Sequence, residues 1–358
     1  MYIKRLRLRN FRNYLSLDVS FQPGSHLLLG DNGQGKSNLL EAIYLLSTLR
    51  SFRSSSNTQM ITSGQKGYFV GGISQSDREN EVRIYWSSKE KKLSLNGRTI
   101  SRMSEYYGTI RSIIFCAEDI QLVKGSPDGR RRYLDFLLAQ TDPSYLNLIQ
   151  RYGRALRARN AILKQNLINR TVLDSFSTEL VYTGNEITNR REVLLKKILP
   201  VIQSCYGQIA GKDAEKINIT YYPSTLGDMA VQLAQSLGKE KSLGYTLIGP
   251  HRDDIEFFQN ELPVAKCASE GQKRTWAISL KMAQIEYLLS VHNIMPIILI
   301  DDVMGELDAK RRKGFLPLLN RITNNYGQMF MTCTEETWPK EFSVNMLKWK
   351  INNGQISS

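Results

Sequence analysis

Hydrophobic and charged positions alternate at the start of the chain. From Ile3 to Leu8, Leu6 and Leu8 fall on one face and Arg5 and Arg7 on the other, the period of a half-buried β-strand. Ser25 to Leu29 is a short apolar run that ends at a glycine. A 3/4 spacing then takes over. Leu39, Leu40, Ile43 and Leu46 predict a helix from about Lys36 to Leu49. Residues 67–115 return to strand composition. Glu81 to Trp86, Leu93 to Leu95 and Thr109 to Phe115 predict an antiparallel meander. Asn96-Gly97 predicts a hairpin, because a type I′ turn needs positive φ at both central residues.

The pattern changes near residue 117. From Arg130 to about Leu199 the spacing is helical, with few turn residues. Leu173, Phe176, Leu180, Thr183, Ile187 and Leu194 form one seam, with Arg190 filling a position in it. Tyr145, Leu148, Tyr152 and Leu156 form another, and Asn166 to Thr171 is a reversal point. The two seams predict a helical hairpin. A helix of about 30 residues is only about 45 Å long, so this arm is not a long coiled-coil rod. Strand-like and loop signals return near Ile217 to Pro223 and again at Tyr245 to Pro250. A helix follows from Gly271 to Val291, an apolar strand at Ile297 to Ile300, a helix from Ala309 to Asn324, a strand at Gln328 to Thr332 and a short tail. The expected organisation is a nucleotide fold in two parts, 1–116 and 244–358, flanking a helical arm at 117–243.

With 358 residues, 41% of them hydrophobic, the chain can bury a large core without disulfides. Cys116, Cys205, Cys267 and Cys333 lack the spacing of a zinc or redox motif, and three histidines are too few for a metal cluster. Reduced thiols in a cytosolic protein are the expectation. The charged N-terminus is not a signal peptide, and no window is apolar enough to span a membrane. The net charge of +14 points to a polyanionic partner, either nucleic acid or an anionic membrane surface. Between Pro143 and Leu173 there is no Asp or Glu. Arg151, Arg154, Arg157 and Lys164 fall within roughly 140° of arc on one helix face, a stripe suited to DNA phosphates. No base-reading motif accompanies it, so backbone and shape contacts are expected.

Gly30-Asp31-Asn32-Gly33-Gln34-Gly35-Lys36-Ser37 matches the phosphate-loop pattern without a gap, between an apolar strand and a helix. Its glycines let backbone N–H groups curl around phosphate oxygens. Lys36 supplies a cation for the β- and γ-phosphates, and the Ser37 hydroxyl is a ligand for Mg²⁺. Ile297 to Ile300 followed by Asp301-Asp302 is a Walker B pattern. Asp301 is the candidate Mg²⁺ ligand and Asp302 the candidate general base for the attacking water.

Three further segments narrow the class. Ser269-Glu270-Gly271-Gln272 resembles the signature motif of ABC-type ATPases, and Glu306-Leu307-Asp308 resembles their D-loop. Gly249-Pro250-His251-Arg252-Asp253-Asp254 is a third. With Arg9 to Tyr14, Glu118-Asp119, Leu122 to Gly125 and Arg130 to Arg132, these motifs resemble the RecF family of bacterial recombination-repair proteins over essentially the whole chain. The resemblance implies an α/β fold: a P-loop ABC/SMC-type ATPase head with a mixed sheet and antiparallel meander, plus a helical arm without a long coiled coil. It implies ATP and Mg²⁺ as cofactors, an ATP-dependent homodimer, slow DNA-stimulated ATP hydrolysis, and binding to double-stranded, gapped or junction DNA. The implied partners are the mediators RecR and RecO and, indirectly, the recombinase RecA, in a cytoplasmic, nucleoid-associated setting with no membrane role.

Carried onto this chain, Ser269, Gly271 and Gln272 would contact the ATP of a partner subunit. Arg12 and Asn13 would lie near the base or α-phosphate, and Thr332 or Thr334 would occupy the switch position. Two departures stand out. Ala117 replaces a usual Pro, and Asp302 replaces the usual ABC Glu, whose longer reach suits faster hydrolysis. No Q-loop glutamine is evident, so Glu118 or Asp119 is assigned that role. An ABC-type ATPase subunit of another cytosolic complex is the alternative. A transporter ATPase and a DNA-binding protein with a vestigial nucleotide site are disfavoured.

Overall fold

The computed structural model describes residues 1–167, 169–211, 214–323, 327–334 and 346–357. The strands and helices in chain order are β1 (Tyr2–Phe11), β2 (Tyr14–Ser20), β3 (Gly24–Leu29), α1 (Lys36–Thr48), β4 (Gly67–Gln75), β5 (Glu79–Ser87), β6 (Lys91–Leu95), β7 (Arg98–Thr99) and β8 (Ser112–Phe115). They continue with α2 (Gln121–Lys124), α3 (Pro127–Thr141), α4 (Pro143–Leu163), α5 (Arg170–Ala210), β9 (Ile217–Tyr222), α6 (Met229–Leu243), β10 (Asp254–Gln259), β11 (Leu262–Pro263) and α7 (Val264–Cys267). The last are α8 (Glu270–His292), β12 (Ile297–Ile300), α9 (Ala309–Thr323), β13 (Gln328–Cys333), β14 (Leu347–Asn352) and β15 (Gln355–Ser357). The chain folds into two compact units. One contains Met1–Asp119, Gln208–Gly211 and Leu280–Ser358, and the other Ile120–Gly207 and Lys212–Ser279.

The first unit is a mixed α/β head built from two sheets. One is antiparallel, in the order β2-β1-β4-β5-β6-β7. The other runs β15-β14-β3-β13-β12-β8, and every pairing from β14 to β8 is parallel. A single core joins inward residues of both sheets (Leu6, Leu8, Val70, Val82, Leu28, Leu299) to α1. This explains why α1 is apolar nearly all round, with Leu39, Leu40, Ala42, Ile43, Leu45 and Leu46 all buried. Gly72 of β4 makes one close approach possible: a Cβ there would lie 2.4 Å from Leu46 Cδ1.

The parallel register carries the chemistry. Leu29 pairs with Cys333, and Ile300 pairs with Met331 and Phe115. The carboxyl ends of β3, β12 and β13 therefore emerge at one edge, where an open α/β sheet binds its ligand.

The second unit holds the expected helical hairpin, α4 against α5. Its reversal falls between Leu163 and Arg170, of which Ile168 lies outside the described residues. The buried seam arginine is Arg191, not Arg190. Stepping by four from Ile187 and by three to Leu194 puts position 191 inside, while Arg190 turns out to Asp142 and Glu186. Helix α5 runs to Ala210, beyond the expected stop at Leu199. Pro200 costs it about 3 kcal/mol, but burial of Ile198, Ile202, Cys205, Tyr206 and Ile209 continues the seam past the proline and offsets that.

Other expectations need correction. Of the strand-like and loop signals at Tyr245 to Pro250, the structure forms the loop. Gly249 turns there at φ +129°, and the pairing strand is β10, antiparallel to β9. That pairing also groups residues 244–279 with the second unit rather than the head. The expected short tail forms the hairpin β14–β15, with Asn353 and Gly354 at φ 46° and 73°. The expected helix end at Asn324 lies outside the described residues.

The Gly249–Asp254 hexapeptide is a packing hub of the second unit. Asp253 is buried and accepts hydrogen bonds from Ser224 N, Thr188 Oγ1 and Tyr221. Asp254 takes a bidentate bridge from Arg130 at 2.9 Å, and Arg191 spans Asp135 and the Pro250 carbonyl. His251 Nδ1 lies 2.6 Å from the Tyr152 hydroxyl, and burial lowers its pKa to about 4. These contacts satisfy buried polar groups, which is reason enough for the motif's composition.

Candidate functional site

The loop between β3 and α1 sits at the shared edge of the parallel strands. At Gly30 the backbone of β14 crosses close by, since a Cβ there would meet Ile351 O at 2.3 Å. Gly35 has φ +120°, and a Cβ would crowd the Asn13 amide and the Tyr14 hydroxyl. Asp31, Asn32 and Gly33 form the exposed tip, with Gly33 at φ +81°. Gly35 leads into α1 without a side-chain cap, so the first-turn N–H groups and the helix dipole face the loop. Lys36 curls back over it, Nζ donating to Gly30 O at 2.7 Å and Asp31 O at 2.9 Å.

Neighbouring elements brace the loop. Asn13 Nδ2 donates to Gln34 O at 2.8 Å, and Tyr14 donates to Gly35 O at 3.0 Å. On the other side the β14–β15 turn binds Gln34, Asn353 N donating to Oε1 and Gly354 N to the carbonyl. Asn353-Gly354 is an Asn-Gly hairpin signal of the same kind as Asn96-Gly97.

The Walker B end meets the loop directly. Ser37 Oγ donates to Asp301 Oδ1 at 2.7 Å. Thr332 Oγ1 lies 3.1 Å from one oxygen of Asp301 and one of Asp302, and accepts from Asp302 N at 2.9 Å. Asp302 sits at φ 52°, so the chain turns sharply after Asp301 and both carboxylates reach the same hydroxyl. Burial raises the Asp301 pKa above the ordinary carboxylate value, partly countered by the bonds from Ser37 and Thr332 and by the charge of Arg53. Arg53 also donates to Asn38 Oδ1 at 2.8 Å. It lies outside every motif, so nothing in the spacing singled it out. A hydroxyl and a carboxylate are hard oxygen donors, and Ser37 and Asp301 would suit Mg²⁺. Among the described residues, no three His, Cys, Asp or Glu side chains converge to form a metal cage of their own.

Arg12 is engaged within the head. Its guanidinium makes a bidentate bridge to the fully buried Glu41 at 2.8 and 2.6 Å and donates to Gln59 O. Glu41 sits one turn into α1, facing the antiparallel sheet, and ionised it requires that partner. Asp119 is likewise committed, paired with Lys281 at 2.8 Å and accepting from Cys116 N. Glu118, its neighbour, is exposed. Thr334 is exposed, and of the two switch candidates only Thr332 touches the aspartates.

Ser269, Gly271 and Gln272 belong to the second unit. Ser269 N donates to Gln272 Oε1 at 2.7 Å and Gln272 N to Ser269 Oγ at 3.2 Å, the reciprocal capping box of α8. Gln272 also binds Glu215. Ser269 remains exposed at the helix start. In the basic stripe, Arg151 is neutralised by a bidentate bridge to Glu179, while Arg154, Arg157 and Lys164 are exposed. Arg159, in the same run, is buried against Glu240 at 2.7 Å.

The two-sheet head and the braced loop facing an aspartate pair define the class: a P-loop ATPase head of the ABC and SMC type. The chain matches the RecF/RecN/SMC N-terminal domain over residues 2–357. It is 35% identical to the DNA replication and repair protein RecF of Lactococcus lactis subsp. cremoris, covering 99% of both chains. It superposes on a solved structure of the recombination mediator protein RecF with ATP in the RecFOR pathway, with a TM-score of 0.91 and 29% identity, covering 99% of this chain and 97% of that one. It shares its fold at 16% identity and a TM-score of 0.57 with the Smc head of Pyrococcus furiosus, covering 99% and 95%. The chain belongs to the RecF family.

Proposed function

We propose that this protein is an ATP-gated DNA-binding switch of replication and recombinational repair. The carrying observation is the 2.7 Å contact between Ser37 and Asp301, with Lys36 and Thr332 around it. It joins the two motifs that a phosphoryl-transfer site requires, and the family membership supports the same reading.

In this reading the N–H groups of Gly30 to Ser37 and the Lys36 ammonium hold the triphosphate of ATP. Ser37 and Asp301 hold Mg²⁺, which when bound neutralises charge on the β- and γ-phosphates. Asp302 accepts the proton of the attacking water, and Thr332 orients its carboxylate. Asn13 fixes the loop rather than touching the base. Ser269, Gly271 and Gln272 of a second copy cap the nucleotide, so ATP joins two subunits. Hydrolysis is slow, and its role is to release the dimer. The exposed cations Arg154, Arg157 and Lys164 contact DNA backbone in the joined state, near gaps or strand junctions. RecR and RecO, and through them RecA, are the partners that the relatives' RecFOR pathway suggests, in the bacterial cytoplasm at the nucleoid. No described helix is long and apolar enough to cross a membrane, which fits a DNA-bound role.

The test is DNA binding to gapped, single-stranded and duplex DNA with ATP, ADP and no nucleotide, read beside oligomeric state. Duplex and gap binding that follows ATP-induced dimerisation and is lost in Lys36→Ala supports the switch. Duplex binding by a nucleotide-free monomer, unchanged by Lys36→Ala, overturns it.

A further inference from the structure

Beside the signature motif, the second unit holds a carboxylate that the phosphate loop, the hexapeptide hub and the basic stripe do not use. Glu215 lies two residues before β9 and is half-buried. Backbone bonds anchor the chain just after it. Lys216 N donates to Asn260 Oδ1 at 3.0 Å, Asn260 N donates back to Lys216 O at 2.8 Å, and Ile217 pairs with Gln259 of β10. From α5, Gln203 Nε2 donates to Ile217 O at 3.0 Å.

The two oxygens of Glu215 face α8 and α5. Oε1 accepts from Gln272 Nε2 at 2.5 Å, and Oε2 accepts from the Tyr206 hydroxyl at 3.0 Å. Tyr206 is buried, and its ring lies 5.6 Å from that of Trp276, which has no solvent exposure and sits in the second turn of α8. Tyr206 reaches this point because α5 runs on past Pro200. Two helices and an anchored segment thus converge on one amide.

The Gln272 amide has a donor edge and an acceptor edge, and the carboxylate decides which faces where. An ionised carboxylate only accepts, so the NH₂ group must turn toward Glu215. The amide oxygen then faces Ser269 N, which donates to it at 2.7 Å. A reversed amide would set oxygen against oxygen and NH₂ against N–H. Ser269 Oγ meanwhile accepts from Gln272 N at 3.2 Å. One lone pair of the hydroxyl is thus occupied, and its hydrogen is left to donate outward from the exposed start of α8. A capping box requires only the serine and the glutamine. The carboxylate adds no cap; it fixes the direction of the amide.

We propose that Glu215 is a positioning residue for the signature motif. By holding the Gln272 amide in one orientation, it keeps the Ser269 hydroxyl hydrogen available for the γ-phosphate of a second copy's ATP. Glu215 touches no nucleotide and acts through Gln272. This role rests on the proposed capping in trans. Its loss loosens the joined state and leaves ATP binding by the single subunit alone, because there Lys36 and Ser37 hold the phosphates.

The experiment uses the full chain and reads ATP-induced dimerisation by light scattering, monomer ATP affinity by calorimetry, and thermal unfolding. Glu215→Met keeps the length of the side chain and removes both acceptors, while Tyr206 retains Gln259 Oε1 at 3.3 Å. It should weaken the ATP dimer about tenfold or more, the worth of a hydrogen bond to a charged group, with monomer ATP affinity and unfolding temperature unchanged. Glu215→Gln returns an acceptor to Gln272 and should recover about half of that loss on a logarithmic scale, because charge-assisted bonds are roughly twice as strong as neutral ones. In a Gln272→Ala background, Glu215→Met should have no further effect. The same background decides the matter if Glu215→Met lowers the unfolding temperature, because a folding defect persists without Gln272 and an amide effect does not. Normal dimerisation of Glu215→Met, where Ser269→Asp cannot dimerise, overturns this role and leaves capping in trans standing. Equal loss in Glu215→Gln and Glu215→Met overturns it too, as does a full Glu215→Met effect without Gln272. A Ser269→Asp chain that still dimerises overturns capping in trans and this role with it.

Discussion

Asp301 shows how one residue carries a cost for the sake of a site. Burial raises its pKa above the ordinary carboxylate value, so the folded state disfavours its charge. A carboxyl group with a raised folded pKa destabilises the fold once pH exceeds that pKa, and the penalty disappears as pH falls through it toward the unfolded value. Asp301→Asn should therefore raise the urea midpoint of the nucleotide-free protein at pH 7, with a gain that shrinks toward pH 4, while losing Mg²⁺-dependent ATP affinity. Parallel denaturation and nucleotide titrations across pH check both halves. Arg12 has the opposite balance. Glu41 has no solvent exposure and takes both of its guanidinium contacts from Arg12. Arg12→Ala should cost about 3 kcal/mol in denaturant unfolding, because it strands a buried charge, and Glu41→Gln on top should recover much of that. Neither partner choice is visible along the chain: residues 12 and 41 meet only because α1 packs on the antiparallel sheet.

At the level of elements, two helix and hairpin ends decide how the motifs work. Ser269 has a local task, since its hydroxyl accepts from Gln272 N and closes the capping box of α8. Its proposed role toward the ATP of a second copy must be separated from that task. Asp is as good an N-cap as Ser, but brings a negative charge toward phosphate. Ser269→Asp should keep thermal stability and monomer ATP binding while abolishing ATP-induced dimerisation in light scattering; a dimer that still forms counts against capping in trans. The β14–β15 turn supports the phosphate loop from the other side. Gly354 has φ +73°, and a Cβ there would lie 2.5 Å from Asn13 O. Gly354→Ala should lift the turn off Gln34 and weaken ATP binding several-fold, measurable by calorimetry, although position 354 lies more than three hundred residues from the loop.

For the molecule as a whole, the phosphate loop was legible because its chemistry is local. Eight consecutive residues set the backbone path, and a strand and a helix on either side set the context. The apolar strand ending in Asp301-Asp302 was legible for the same reason. The basic stripe was only half legible. Helical periodicity placed Arg151, Arg154, Arg157 and Lys164 on one face, but could not show that Glu179 of α5 neutralises Arg151. Reversing the charge of Arg154, Arg157 and Lys164 together should lower duplex affinity with ATP and flatten its salt dependence by about two to three units, with dimerisation intact. Unchanged salt dependence in that triple variant would place the duplex elsewhere.

By itself, the sequence determined whatever depends on neighbours along the chain. That includes strand and helix periods, the glycines of the loop, the Asn96-Gly97 turn and the apolar strand before the aspartates. Tertiary structure alone decided which distant groups share a charge or a hydroxyl. Ser37 reaches Asp301 and Thr332 holds both aspartates because β3, β13 and β12 lie in parallel register. Arg12 turns to Glu41, Arg191 replaces Arg190 in the seam, and residues 244–279 group with the second unit through the pairing of β10 with β9. The reason is physical. A buried charge or an unpaired strand edge must find a partner, and which partner is near is set by packing, not by spacing in sequence.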